Sequence, residues 1–144
     1  EGNEIITTAT TEGVVRNSTI TIDQSGMNNL HSTEAELVAD PGSGKWIVPL
    51  ESHVYVTRNS NNNNSVNLHL SWDGSVTLAE TPYLWKRFFY NEVASVFYRM
   101  VRYTSDHGNF NPSNKNLTLK MSGAIDVDSV TSMKVYTQYM IIDY

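Results

Sequence analysis

The run at 132–142, SMKVYTQYMII, limits the fold of this chain more than any other stretch. In an extended backbone Met133, Val135, Thr137 and Tyr139 share one face, while Lys134, Tyr136, Gln138 and Met140 share the other. This predicts a long terminal strand with two usable faces. Related signals recur upstream. Ile20 and Ile22 alternate with threonines, and Trp46-Ile47-Val48 and Val54-Tyr55-Val56 are rich in strand-forming residues. Val66, Leu68 and Leu70 alternate with Asn67, His69 and Ser71, and the segments 96–103 and 117–121 have strand composition. Seven to nine strands at this spacing predict a mainly β chain: an antiparallel β-sandwich or jelly-roll-like domain with one short helix, not a parallel sheet.

Turn chemistry divides these strands. Asp73-Gly74 between two strand-like runs is a hairpin signal, because glycine permits positive φ. Asp40-Pro41-Gly42-Ser43-Gly44 reads as a tight turn between a strand ending at 36–39 and one opening at 45–48, with Pro41, Gly42 and Gly44 as its structural residues. The asparagine-rich tract 59–65 reads as an exposed loop, and 106–114 as a polar loop region. Eight of the fifteen aromatic residues fall within 83–103. There Leu84, Trp85, Phe88, Phe89, Glu92 and Val93 keep helical spacing after Pro82, so the short helix is expected at about 82–91, with Thr81 as its cap. Core packing explains the aromatics more simply than a ligand platform does. The expected organisation is an N-terminal arm and first strand at 1–29, followed by a single β-sandwich domain at 30–144.

Composition narrows the function classes. A chain of 144 residues, 40% hydrophobic and 17% charged, suits one compact domain that buries roughly two thirds of its unfolded surface. A formal charge of -5 argues against a nucleic-acid partner. With no cysteine there is no disulfide and no thiolate metal site. The longest apolar runs fall far short of a membrane-spanning helix, so no membrane partner is expected, and the first residues lack the pattern of a secretion signal.

Candidate chemistry fails residue by residue. The turn ending in Lys45 is glycine-rich like a phosphate-binding loop, but Ala39 stands where that loop needs glycine and Trp46 where it needs a hydroxyl. His31, His53, His69 and His107 occupy unrelated contexts, and only His53 and His69 are placed to approach each other as a metal pair. Asp126 and Asp128 resemble the opening of a calcium loop that lacks its glycine and its terminal glutamate. Glu51, Asp73, Glu80 and Glu92 cannot be paired into a glycosidase site from sequence. Lys86, Arg87, Arg99 and Arg102 interleave with aromatics as in single-strand grooves, though their stems suit ordinary protein contacts better. Asn17, Asn63 and Asn116 begin sequons, which chance explains in asparagine-rich sequence. No catalytic, cofactor-binding or metal residue is assigned, and the chain is read as a non-enzyme.

A resemblance takes the reading further. Leu30-His31-Ser32-Thr33, Glu36-Leu37-Val38-Ala39 and Asp40-Pro41-Gly42-Ser43-Gly44-Lys45, followed by Trp46-Ile47-Val48, resemble a family of bacteriophage virion proteins with a P-G-x-G-K turn before the main strands. Asn116-Leu117-Thr118-Leu119 and the strand from Met133 through Tyr139 look similar too. The likeness runs from about Leu30 to the C terminus; the first thirty residues and the segment 83–103 are not matched. It implies a β-sandwich capsid decoration, or cement, protein without catalysis. Such a protein would assemble in the bacterial cytoplasm, sit on the outer surface of the phage head, bind across subunits of the major capsid protein and form a homo-oligomer, by analogy a trimer. On that reading the threonine-rich segment 1–11 is the expected capsid contact, with Glu4, Ile5, Ile6, Thr7 and Thr8 as candidates. Tyr83, Trp85 and Phe89 are the expected contacts between protomers. The alternative is a tail or fibre-knob domain that recognises a host-surface glycan through Trp72, Asp73 and the 59–65 loop.

Overall fold

The computed structural model describes residues 13–58, 66, 68–73, 114–124 and 131–143, and the backbone of 76–80, 96–102 and 130. Within these lie eight strands: β1 (Arg16–Asp23), β2 (Ala35–Val38), β3 (Lys45–Arg58), β4 (Leu68–Trp72), β5 (Val76–Glu80), β6 (Val96–Arg102), β7 (Leu117–Met121) and β8 (Val130–Asp143). One short helix, α1 (Gln24–Asn29), follows β1. All pairings are antiparallel, and β1 with β8, β2 with β7, β3 with β6 and β4 with β5 form four nested pairs. Further pairing of β3 with β8, β4 with β7 and β5 with β6 rolls this ribbon into the order β1-β8-β3-β6-β5-β4-β7-β2. That is jelly-roll connectivity. The expectation of an antiparallel, mainly β sandwich with seven to nine strands and a short helix is met.

Two three-strand walls, β1-β8-β3 and β4-β7-β2, enclose the core. From the first come Ile22, Ile47, Val54, Val56, Met133 and Val135; from the second come Leu68, Leu70, Leu117, Leu119 and Met121. The long terminal strand has the predicted alternation: Met133, Val135 and Thr137 are buried, whereas Lys134, Tyr136 and Gln138 are exposed. On β3 the alternation changes parity. A bulge between Pro49 and Glu51 inserts Leu50, so that Ile47 is buried before it and Ser52, Val54 and Val56 after it. Pro49 is tolerated because β6 pairs only alongside Ser52–Val56, leaving the first half of β3 hydrogen-bonded to β8 alone.

The walls are tied at three places. At one end α1 lies across the opening, with Met27 and Leu30 each 1% exposed and Met121 N donating to Leu30 O. Asp23 caps this helix, its carboxylate accepting from Gly26 N at 2.7 Å. Toward the other end Trp72 Nε1 donates to Ile47 O at 3.1 Å. Along the seam the Ser18 hydroxyl of β1 donates to Leu37 O of β2.

Two details differ from the sequence reading. The described helix is at Gln24–Asn29, where six residues are too few to show a periodic signal; the helix expected at 82–91 lies outside the described residues, as do the 59–65 loop and the polar region 106–113. The turn at 40–44 does connect two strands, but β2 and β3 belong to opposite walls, so it crosses between sheets and closes no hairpin. The Asp73-Gly74 signal does mark a hairpin: β4 and β5 pair with Trp72 opposite Val76, and Asp73 takes φ 50.

Candidate interaction surface

The loop that most resembles a binding site is filled by its own side chains. Gly42 and Gly44 adopt φ 96 and 71, so the chain turns as glycine permits, but the Asp40 carboxylate accepts from Gly42 N at 2.7 Å. The Asn114 amide, turned to satisfy its neighbours, donates to both Asp40 oxygens at 2.7 and 3.0 Å, and Asn114 N donates to Lys45 O. The Asp40 carboxylate thus takes up a backbone N–H of the turn and puts a negative charge beside it, which disfavours an anion there. The arrangement instead fastens the β2–β3 crossing to the start of β7.

The other candidates separate in the same way. His53 on β3 stands 3.1 Å from Glu51, and His69 on β4 lies opposite Lys120. His53 and His69 both alternate with core residues and so lie on the outer faces of opposite walls, with the core between them, so the structure does not bring these histidines together as ligands. No group of three or more metal-ligating side chains occurs among the described residues. Trp72 packs against the core and bonds Ile47 O, and Asp73 pairs with Lys115, so two of the three expected glycan contacts serve the fold itself. Arg99 lies opposite His53 and Arg102 opposite Ala79 in the strand register. Glu4, Ile5, Ile6, Thr7, Thr8, Gly74, Tyr83, Trp85, Phe89, Asp126 and Asp128 lie outside the described residues.

What remains is a patterned sheet face. On the outside of β1-β8-β3 the register sets three rows: Asn17, Gln138 and Glu51; Thr19, Tyr136 and His53; Thr21, Lys134 and Tyr55. Toward the β3 start the same face continues with Val48 opposite Met140 and Trp46 opposite Ile142. The outer face of the second wall is different. There Ser71 and Thr118 are buried with their hydroxyls 3.1 Å apart, beside His69, Lys120 and Glu36. The β8 part of the first face, Lys134, Tyr136, Gln138 and Met140, is legible in the alternation of the terminal strand, whereas its neighbours on β1 and β3 are not, because pairing partners and register are not written in one strand.

No protein-family model matches the chain, and no curated protein matches it by sequence. Among solved structures, the fold is similar to that of a chain in the capsid asymmetric unit of cyanophage Pam1. The TM-score is 0.51 at 14% identity, over 90% of this chain and 86% of that one. At that identity the likeness is one of fold.

Proposed function

We propose that this chain is a non-enzymatic structural protein of a bacteriophage virion, bound to the outside of the head as a decoration or cement protein. The observation that carries this reading is the likeness in fold, over nearly the whole length of both chains, to a chain of the cyanophage Pam1 capsid asymmetric unit. Jelly rolls serve many functions, so topology alone does not decide between them.

In this role the domain binds non-covalently across adjacent subunits of the major capsid protein, and many modest contacts together resist the pressure of packaged DNA. The segment 1–11, with Glu4, Ile5, Ile6, Thr7 and Thr8, takes hold of the shell. Tyr83, Trp85 and Phe89 join protomers, in a trimer by analogy. Such a protein adds no catalysis and needs no cofactor. Deleting residues 1–11 is expected to lower affinity for heads that lack the protein by at least about tenfold, which corresponds to a loss of contacts worth about 1.4 kcal/mol or more net of the cost of ordering the segment. Undiminished occupancy, read by co-sedimentation, would remove the arm from the account.

A further inference from the structure

The rolled sheet ends in two edge strands, β1 and β2, and the two are built differently. β2 has four residues and a register shift between Glu36 and Val38, two of the devices by which proteins keep an edge from pairing further. β1 has neither. Its eight residues pair with β8 in unbroken register from Arg16 to Asp23, and the interior, NSTITI, holds no charge, no proline and no bulge. Among the described residues no strand pairs with the far edge of β1, and its link to β2, Ser18 Oγ donating to Leu37 O, uses no backbone group of β1. Ile20 points inward between Ser18 and Ile22 yet is only partly buried, as expected where a sheet stops.

We infer that β1 pairs antiparallel with β1 of a second copy of this chain, about a two-fold axis through Thr19, so that two walls join into one sheet in the order β3-β8-β1-β1-β8-β3. An unpaired row of backbone N–H and C=O groups is completed by another extended strand, and the sequence of β1 suits a copy of itself. Asp23 is committed to capping α1, which leaves 16–22 to pair, with Thr19 at the midpoint. Opposed residues share a face of the sheet, so Thr19 meets Thr19, Asn17 meets Thr21 and Ser18 meets Ile20. This register sets hydroxyl and amide pairs on the outer face and covers the half-buried Ile20 on the inner one. Arg16 begins the strand and Asp23 ends it, so antiparallel copies bring opposite charges to each end of the contact, where parallel copies would bring like ones. The pairing is isologous and closes at two copies, which removes an edge that would otherwise recruit further strands. This contact is separate from the one proposed through Tyr83, Trp85 and Phe89 and does not depend on the virion role.

A chain without cysteine allows a direct test, because a single introduced thiol reports on its own counterpart. In the inferred register the two Thr19 Cα atoms lie about 4.5–5.5 Å apart, within disulfide reach, whereas the two Thr21 Cα atoms lie roughly 14 Å apart. Under a mild oxidant the full chain carrying Thr19→Cys is expected to form a covalent dimer at least about tenfold faster than Thr21→Cys or, on the opposite wall, Lys120→Cys. Pairing holds the thiols at an effective concentration of about millimolar, well above that of the free protein. Mixed together, Asn17→Cys and Thr21→Cys are expected to cross-link with each other faster than either does with itself. Thr19→Lys sets like charges on the axis and is expected to weaken dimerisation at least about tenfold by analytical ultracentrifugation, with far-ultraviolet circular dichroism unchanged. Cross-linking of Thr19→Cys no faster than that of Thr21→Cys or Lys120→Cys would overturn the inference. If Thr19→Lys instead weakens binding to phage heads and leaves the size of the free protein unaltered, the inference fails and the edge belongs to a strand of another protein.

Discussion

Met133→Ala is expected to lower unfolding stability by about 2–5 kcal/mol, a large part of the roughly 5–15 kcal/mol that a domain of this kind possesses. Met133 is fully buried on β8 and lies opposite both Ile22 on β1 and Val56 on β3, so truncation opens a cavity where three strands meet. Regular ladders on both sides hold those strands in place, which limits how far they can collapse into the gap. Met133→Leu keeps the volume and is expected to cost less than about 1.5 kcal/mol. Urea midpoints at constant m-value measure both. A loss below about 1 kcal/mol for Met133→Ala would mean that the walls close over the gap and that this point of the core is not the joint described.

The second large effect comes from a buried polar pair. Ser52 and Thr137 are both 2% exposed on the inner side of the first wall, opposite each other in the ladder, and Ser52 Oγ donates to Thr137 Oγ1 at 3.2 Å. Ser52→Ala leaves a buried hydroxyl without this partner and is expected to cost about 1–3 kcal/mol, as is Thr137→Val. The double variant removes both polar groups, so its loss is expected to fall short of the sum of the single losses by about 0.5 kcal/mol or more. Strict additivity in urea unfolding would show that the two hydroxyls do not depend on each other.

These residues also show what the sequence could reveal. Alternation over 133–139 was readable because one face of β8 is fully buried and the other wet, and 117–121 emerged as β7 because its apolar residues are bounded by polar loops. The β3 bulge was hidden, since one inserted residue reverses the in-out pattern without altering composition. Helix α1 was hidden as well: Asp23 and Met27 determine it by a cap and a single buried contact, and a segment of six residues has no period to detect. Ser52, Ser71, Thr118 and Thr137 are polar in sequence and buried in the structure, because cross-strand hydroxyl pairs satisfy them. The surface followed the same logic. The aromatic segment drew attention to Tyr83, Trp85 and Phe89 by composition, whereas the rows Asn17, Gln138 and Glu51 and Thr19, Tyr136 and His53 exist only once register places three strands side by side.

The virion role is tested most directly by counting and locating the protein in purified particles, with quantitative mass spectrometry against the major capsid protein and particle imaging. The account predicts hundreds of copies distributed over the head shell. A few to a few dozen copies confined to a vertex or tail would contradict decoration in favour of adhesion or tail assembly, and absence from particles would contradict the virion reading altogether.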